Sequence, residues 1–481
     1  MTTISTSTAP ALTRQVGDWL KYGAIVLTTF VVCWAVVIWY WNATEQNPAV
    51  GDLVLALLLL PMALLFALWG GHKVVSARTD SAASVADLAK PAAAASAATT
   101  TRAAPVLAVV ATALRSPYGA SVEELAGAIA DNDARADLDP ELVDDHGFPV
   151  MSARIDDAHD DMLQDEIAEW LASQDMPALN FTDEQWRAIM LATSVAGELA
   201  SLAAADCLPV EEPPPMLQLK LMLPQDWSVE VCRAATMWLG HTVSQYGWPD
   251  TAIARPEPER MHLTSPTGIL TQLLPTQSAD HKPMVAIVIA CASLIGQESV
   301  DRLAAHAALF NASTGRGQIP GEGACGLLLT DLRQAQSIHH AATVLLGPLC
   351  ERRHDSSADD ARRTDSALLL ALVEQACQAS DLAPSQIDMI VADTAHRPNR
   401  VLELMGLAAP AIPHIDAADD IVRIGVGSGS CGAVPLLTVL ALAAHYAQER
   451  SAPVLCISNE DPHLRSAALV RLAPCTDAGD A

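Results

Sequence analysis

The chain has 481 residues, enough for two or three domains or for one large two-part domain with appendages. Its 56 acidic against 28 basic side chains leave a formal net charge of −28, which argues against nucleic acid as a partner because phosphates would be repelled. The ten cysteines contain no CxxC pair and mostly sit inside apolar runs, so they read as small core residues in a reducing compartment, not as a zinc site or a disulfide frame.

Two runs near the amino terminus carry no charge: Tyr22 to Trp41, "YGAIVLTTFVVCWAVVIWYW", and Leu53 to Trp69, "LVLALLLLPMALLFALW". Their length predicts two membrane-spanning helices. The first run ends in an aromatic belt (Trp39, Tyr40, Trp41) and is followed by a second apolar run, which disfavours a cleaved signal peptide. Arg14 and Lys21 precede the pair, and His72, Lys73 and Arg78 follow it, whereas "NATEQNPAVGD" between the runs has no Lys or Arg. Both ends are therefore expected to face the cytoplasm of a multi-pass protein. The predicted division is a tail at 1–21, two transmembrane helices within 22–70 and an Ala/Ser/Thr-rich linker at 71–104, too poor in bulky apolar side chains to order itself.

From residue 105 the pattern changes. "PVLAVVATAL" (105–114) is a strand-length apolar run, followed by the turn "RSPYGAS" and the helical "VEELAGAIA". Further strands are predicted at 284–296, 323–331, 388–394, 421–427 and 452–458, alternating with helices such as 366–380 and 433–450. Continuous apolar strands between helices imply an α/β domain whose sheet is covered on both faces. Between about 156 and 260 the signal weakens. "IDDAHDDMLQDEIAEWLASQ" reads as an acidic surface helix, and "FTDEQWRAIMLATSVAGELASLAAAD" as a second helix capped by Thr182, with Trp186, Ile189 and Met190 on its apolar face.

Three features taken together, strand-"SPYG"-helix, "PGEGACGLLLTD" and "LVEQACQASDLAPSQIDMIVAD", resemble the β-ketoacyl synthases of the thiolase superfamily over about 105–475. The resemblance implies a thiolase-like five-layer αβαβα fold of two duplicated halves, here 105–340 with a helical insertion and 341–481. A faint likeness between "LAVVATALRSPYG" and "DMIVADTAHRPNR" is compatible with such duplication.

That family uses a cysteine at a helix start and two histidines that polarise a thioester carbonyl. The resemblance carries each onto a different residue type. "LTSPTG" puts Ser265 where the cysteine belongs, "IVADTA" puts Asp393 in place of the first histidine, and "GSGSCGAV" puts Ser430 in place of the second. A serine needs a base to become a nucleophile, and a carboxylate at Asp393 would repel a developing oxyanion. The family's Gly-Phe-Gly-Gly loop is matched by "ISNEDPHLRSAALVR", so Glu460 and Asp461 become candidate binding residues, together with His396, which stands three residues beyond Asp393.

Other features favour bland readings. Adjacent His339 and His340 point to different sides of an element, and no carboxylate follows at ligand spacing, so no metal is expected. "GVGSGSCG" lacks the Lys and Ser/Thr of a P-loop and reads as a turn that keeps backbone shape, with Cys431 packed inside it. A trio of Ser265, His396 and Asp393 would be the hydrolase reading.

The expectation is a non-catalytic, ketosynthase-like protein without cofactor, anchored through 22–70 in a bacterial inner membrane, with its body in the cytoplasm and binding a protein partner. The order of hydrophobic amino terminus, spacer and divergent ketosynthase-like body resembles the type VI secretion lipase adaptors, which implies a lipase effector or a secretion spike component as partner. Thiolase-like proteins commonly dimerise through a sheet edge, which makes a homodimer a further expectation. The alternatives are an acyl-transfer or hydrolytic enzyme using Ser265, and a protein that holds an acyl chain non-covalently.

Overall fold

The computed structural model describes residues 105–176, 181–208, 214–258, 263–274, 283–338, 343–359 and 365–474, all within one compact unit, Thr101–Ala481. The expected tail, membrane helices and linker lie outside the described residues, as do His339, His340 and the expected boundary between halves at 340/341.

The first set of elements is β1 (Leu107–Arg115), α1 (Val122–Ala130), a hairpin of β2 (Asp137–Val143) and β3 (Pro149–Ser152), α2 (Asp161–Ser173), α3 (Asp183–Cys207), β4 (Leu217–Met222), α4 (Val229–Gln245), β5 (Ile253–Ala254), α5 (Pro266–Thr271), β6 (Val285–Ser293), α6 (Gln297–Ala305), β7 (Glu322–Thr330) and α7 (Leu332–Ile338). The second set is β8 (Val344–Leu346), β9 (Cys350–Arg353), α8 (Ala367–Ser380), β10 (Met389–Ala392), α9 (Pro398–Ala411), β11 (Ile421–Arg423), the short α10 (Gly425–Ser428), α11 (Val434–Arg450), β12 (Val454–Ser458) and β13 (Leu464–Leu472).

The two sets repeat one pairing pattern. In the first, β4 lies parallel between β5 and β6, β6 runs antiparallel to β7, and β7 antiparallel to β1. In the second, β10 lies parallel between β11 and β12, β12 runs antiparallel to β13, and β13 antiparallel to β8 and β9. A β1–β8 contact joins the two sets into one 11-stranded sheet in hydrogen-bonding terms, with the β2–β3 hairpin apart from it. The faint sequence likeness noted above does not mark equivalent strands: β1 has antiparallel neighbours on both sides, whereas β10 is parallel to both of its own.

Side-chain alternation shows how the layers stack. On β6, Val285, Ile287, Ile289 and Cys291 enter a core with α3 and α4, while Ala286, Val288, Ala290 and Ala292 enter a different core built around α11. On β12, Val454 and Cys456 face that same α11 core, and Leu455 and Ile457 face α8 and α9. A strand buried on both faces needs an apolar residue at every position, which is why these segments read as continuous runs. Helix α11 lies between the two sets of strands, and thirteen of its seventeen residues are buried, so its sequence is apolar all round and lacks a polar stripe.

Among the described residues one helix, α3, has the length and apolarity to cross a membrane. In this fold it is an interior helix, with Ile189, Val195 and Leu199 fully buried. Thr182 caps it as the sequence predicts: its Oγ1 accepts from the Gln185 amide at 3.3 Å, and Gln185 Oε1 accepts from the Thr182 amide at 3.0 Å. The acidic helix starts later than its pattern suggests, at Asp161, because Asp160 accepts hydrogen bonds from the Met162 and Leu163 amides and caps it there. The predicted strand at 421–427 ends at Arg423, and the chain then makes the helical turn α10.

Candidate functional site

The glycine-rich turn after α10 is built against the Pro-Gly-Glu-Gly corner that leads into β7. The Ser430 amide donates to Ile319 O at 2.8 Å, and the Gly321 amide donates to Ser430 O at 3.2 Å. A Cβ on Gly321 would come within 2.1 Å of Ser428 O, and Gly429 sits at φ +60, so only glycine lets these two turns touch. Glu322, next along, is buried and accepts from Arg187 Nε at 2.8 Å, Arg187 Nη2 at 2.5 Å, Ser293 Oγ at 2.9 Å and the Ile155 amide at 2.7 Å. The "PGEG" motif thus ties α3, β6 and β7 together through an ion pair whose carboxylate is buried and whose guanidinium is partly buried.

Beside this junction lies a cavity of about 350 Å³, lined from β4, α5, α11 and the loops after β10, α10 and β12. Asp393, His396, Ser430, Glu460 and Asp461 all line it. Ser265 stands one step behind the wall, between the lining residues Thr264 and Pro266.

Each of these side chains is wired in its own way. Ser265 is the N-cap of α5: its Oγ accepts from the Gly268 amide at 3.1 Å and donates to Glu351 Oε1 at 2.9 Å. Thr267 Oγ1 donates to the other oxygen of Glu351. Asp393, just beyond β10, is buried and binds the β12–β13 connection, accepting from Ser458 Oγ, from the Asn459 amide at 2.8 Å and from the Glu460 amide at 3.2 Å. Burial pushes its carboxyl up to about 6, and the neighbouring Glu460 charge acts in the same direction against those hydrogen bonds. Glu460 accepts from Arg397 Nε at 2.6 Å and from the Ala395 amide at 3.1 Å. Asp461 accepts from the His463 and Leu464 amides, each at 2.7 Å.

His396 stacks edge-on against Phe310, with ring centroids 4.6 Å apart. Neither ring nitrogen is solvent-exposed, and neither meets a well-formed hydrogen-bond partner among the described residues, although the Gly317 backbone lies close enough to act on the ring. Burial holds the imidazole below its usual pKa. Ser430 Oγ donates to Gln318 Oε1 at 3.2 Å. Cys431, in the same turn, is buried, and its thiol is pushed up to about 12. The other seven described cysteines are likewise buried, with thiols raised by burial.

The structure therefore gathers the sequence candidates around one cavity but does not connect Ser265, His396 and Asp393 by the nucleophile–base and base–orienter hydrogen bonds of a hydrolase trio. Sequence reasoning missed Glu351, whose bond to Ser265 spans 86 positions and has no local motif. It also missed the arginines behind the cavity. Arg400 and Arg465 are essentially fully buried. Arg400 Nη2 and Arg397 Nη1 both donate to Asp359 Oδ1, at 2.7 and 3.0 Å, while Arg465 Nε donates to Glu403 at 2.7 Å. Among the described residues no three His, Cys, Asp or Glu side chains converge as metal ligands would.

No protein-family model matches the chain, and no curated protein matches it. Solved structures do. The ketosynthase from module 6 of the bacillaene synthase of Bacillus subtilis 168 is similar with a TM-score of 0.53 at 12% identity, over 77% of this chain and 72% of that one. A type II polyketide ketosynthase, solved with its acyl-carrier protein, gives a TM-score of 0.53 at 11% identity, over 77% of this chain and 100% of that one. The ketosynthase from module 1 of the bacillaene synthase of Bacillus amyloliquefaciens FZB42 gives 0.50 at 11% identity, over 78% and 74%. The chain is a mixed α/β protein with a large sheet and a ketosynthase-like fold.

Proposed function

We propose that this is a non-catalytic ketosynthase-like protein that works by binding a protein partner. The observation that carries the reading is the state of the three positions where the resemblance locates the reactive groups. Ser265 is committed as a helix cap and to Glu351, Asp393 staples a loop, and Ser430 joins two turns. A carboxylate at Asp393 opposes oxyanion chemistry, and every described cysteine is held as a buried thiol. The strong acidity of the chain favours a partner with a basic face, reached faster at low salt. In its most specific form the proposal is an inner-membrane adaptor, anchored through 22–70 with its body in the cytoplasm, that recruits a lipase effector to type VI secretion. That form rests on the order of segments in the sequence alone.

A second reading has one observation in its favour: Ser265 Oγ donates to a carboxylate, Glu351, as a serine with a weak general base would. One experiment separates the two. The full chain is incubated with acyl-thioester probes and weighed intact, and affinity capture from cells of origin is run in parallel at low and high salt. A salt-sensitive protein partner and no adduct support the proposal; an acyl adduct abolished by Ser265→Ala overturns it in favour of the enzyme.

A further inference from the structure

The walls of the cavity differ in kind. Met222, Leu223, Ile319, Leu436 and Leu464 supply apolar surface. Among the described polar lining residues the one arginine, Arg397, is already engaged by Glu460 and Asp359. Glu351 and Asp461 have no ion pair among the described residues, and each keeps acceptor capacity beyond the hydroxyl or amide donors it holds. His396 adds a ring whose nitrogens are withdrawn from solvent and lack well-formed partners among the described residues. A cavity of about 350 Å³ with apolar sides and unneutralised acceptors suits a ligand with an apolar stem and a compact cationic head. A carboxylate or phosphate head would meet like charge, with no free cation among the described lining residues to offset it.

We propose that this cavity is a binding site for an alkylammonium group, with the stem against Leu436 and Leu464 and the head on Glu351. The chemistry is shared by a free aliphatic amine and by a lysine side chain of a bound protein. The inference stands apart from the recruitment reading, since amine binding would persist if no partner were captured, and a partner docked elsewhere would persist if no amine bound.

The test uses three probes of equal length on the full wild-type chain: n-hexylammonium, hexanol and hexanoate, titrated by calorimetry at fixed ionic strength. The expected result is saturable binding of n-hexylammonium, at least tenfold weaker binding of hexanol, and none of hexanoate. Glu351→Gln, checked for an unchanged melting profile, is expected to weaken the amine at least tenfold and to leave hexanol unaffected. Should that variant misfold, the three-probe comparison on the wild-type chain decides alone. Equal binding of hexanol, preferential binding of hexanoate, absence of amine binding, or a folded Glu351→Gln that binds the amine as well as wild type each overturns the proposal. Within a positive result, competition by a capped Gly-Lys-Gly peptide at or below the concentration needed for cadaverine points to a protein side chain, and competition by cadaverine alone points to a free amine.

Discussion

Asp393 shows how much a single side chain can shift stability with pH. Its carboxyl is raised to about 6 in the folded chain from an ordinary value of 3.8, so between those values the folded state holds more protons than the unfolded one. Stability from this group is therefore full below about pH 4 and falls as the pH rises through 6, by up to about 3 kcal/mol. Asp393→Asn keeps an oxygen for the Asn459 and Glu460 amides and removes the ionisation. Urea unfolding at pH 4 and pH 8 should show the variant gaining on wild type at the higher pH, with the gap closing at the lower. A difference between variant and wild type that stays constant over this window would sink the account. Ser265→Ala removes the α5 cap and should cost about 1 kcal/mol in the same assay.

At the scale of elements, the Glu322–Arg187 pair joins β7 to α3. Glu322→Ala leaves the partly buried Arg187 guanidinium without its carboxylate, and the Ser293 hydroxyl and Ile155 amide without their acceptor, and should destabilise by about 3 kcal/mol. Adding Arg187→Met should restore much of the loss, and a double mutant as unstable as the sum of both singles would rule the pairing out as the cause. Such links explain what the sequence could and could not disclose. Strands β6, β7 and β12 and helix α11 were legible because burial on two sides forces unbroken apolar runs, α8 because Leu369, Leu372, Val373 and Ala376 repeat at helical spacing on its one buried face, and α3 because its cap is local. The β2–β3 hairpin was not, since "DLDPELV" is acidic, contains Pro140 and leaves Leu138 exposed. The site was half legible: motif positions led to Ser265, Asp393 and Ser430, whereas Glu351, Arg400 and Arg465 acquire their meaning only from partners distant in the chain.

For the whole molecule, α11 is the shared interior of both sets of strands, and Leu437 on it is fully buried. Leu437→Ala should cost about 2–5 kcal/mol and lower a single unfolding transition of the body. Two separated transitions, with only one displaced, would show instead that the halves unfold independently.

The placement of β1 has a mechanical consequence. It is the first described strand, yet it lies mid-sheet, hydrogen-bonded to β7 on one side and β8 on the other. A pull applied to the chain just before Leu107 would run along β1, so it would shear its hydrogen bonds on both sides together. A strand at the sheet margin would instead unzip one bond at a time. Tension applied there would be resisted by both sets of strands at once.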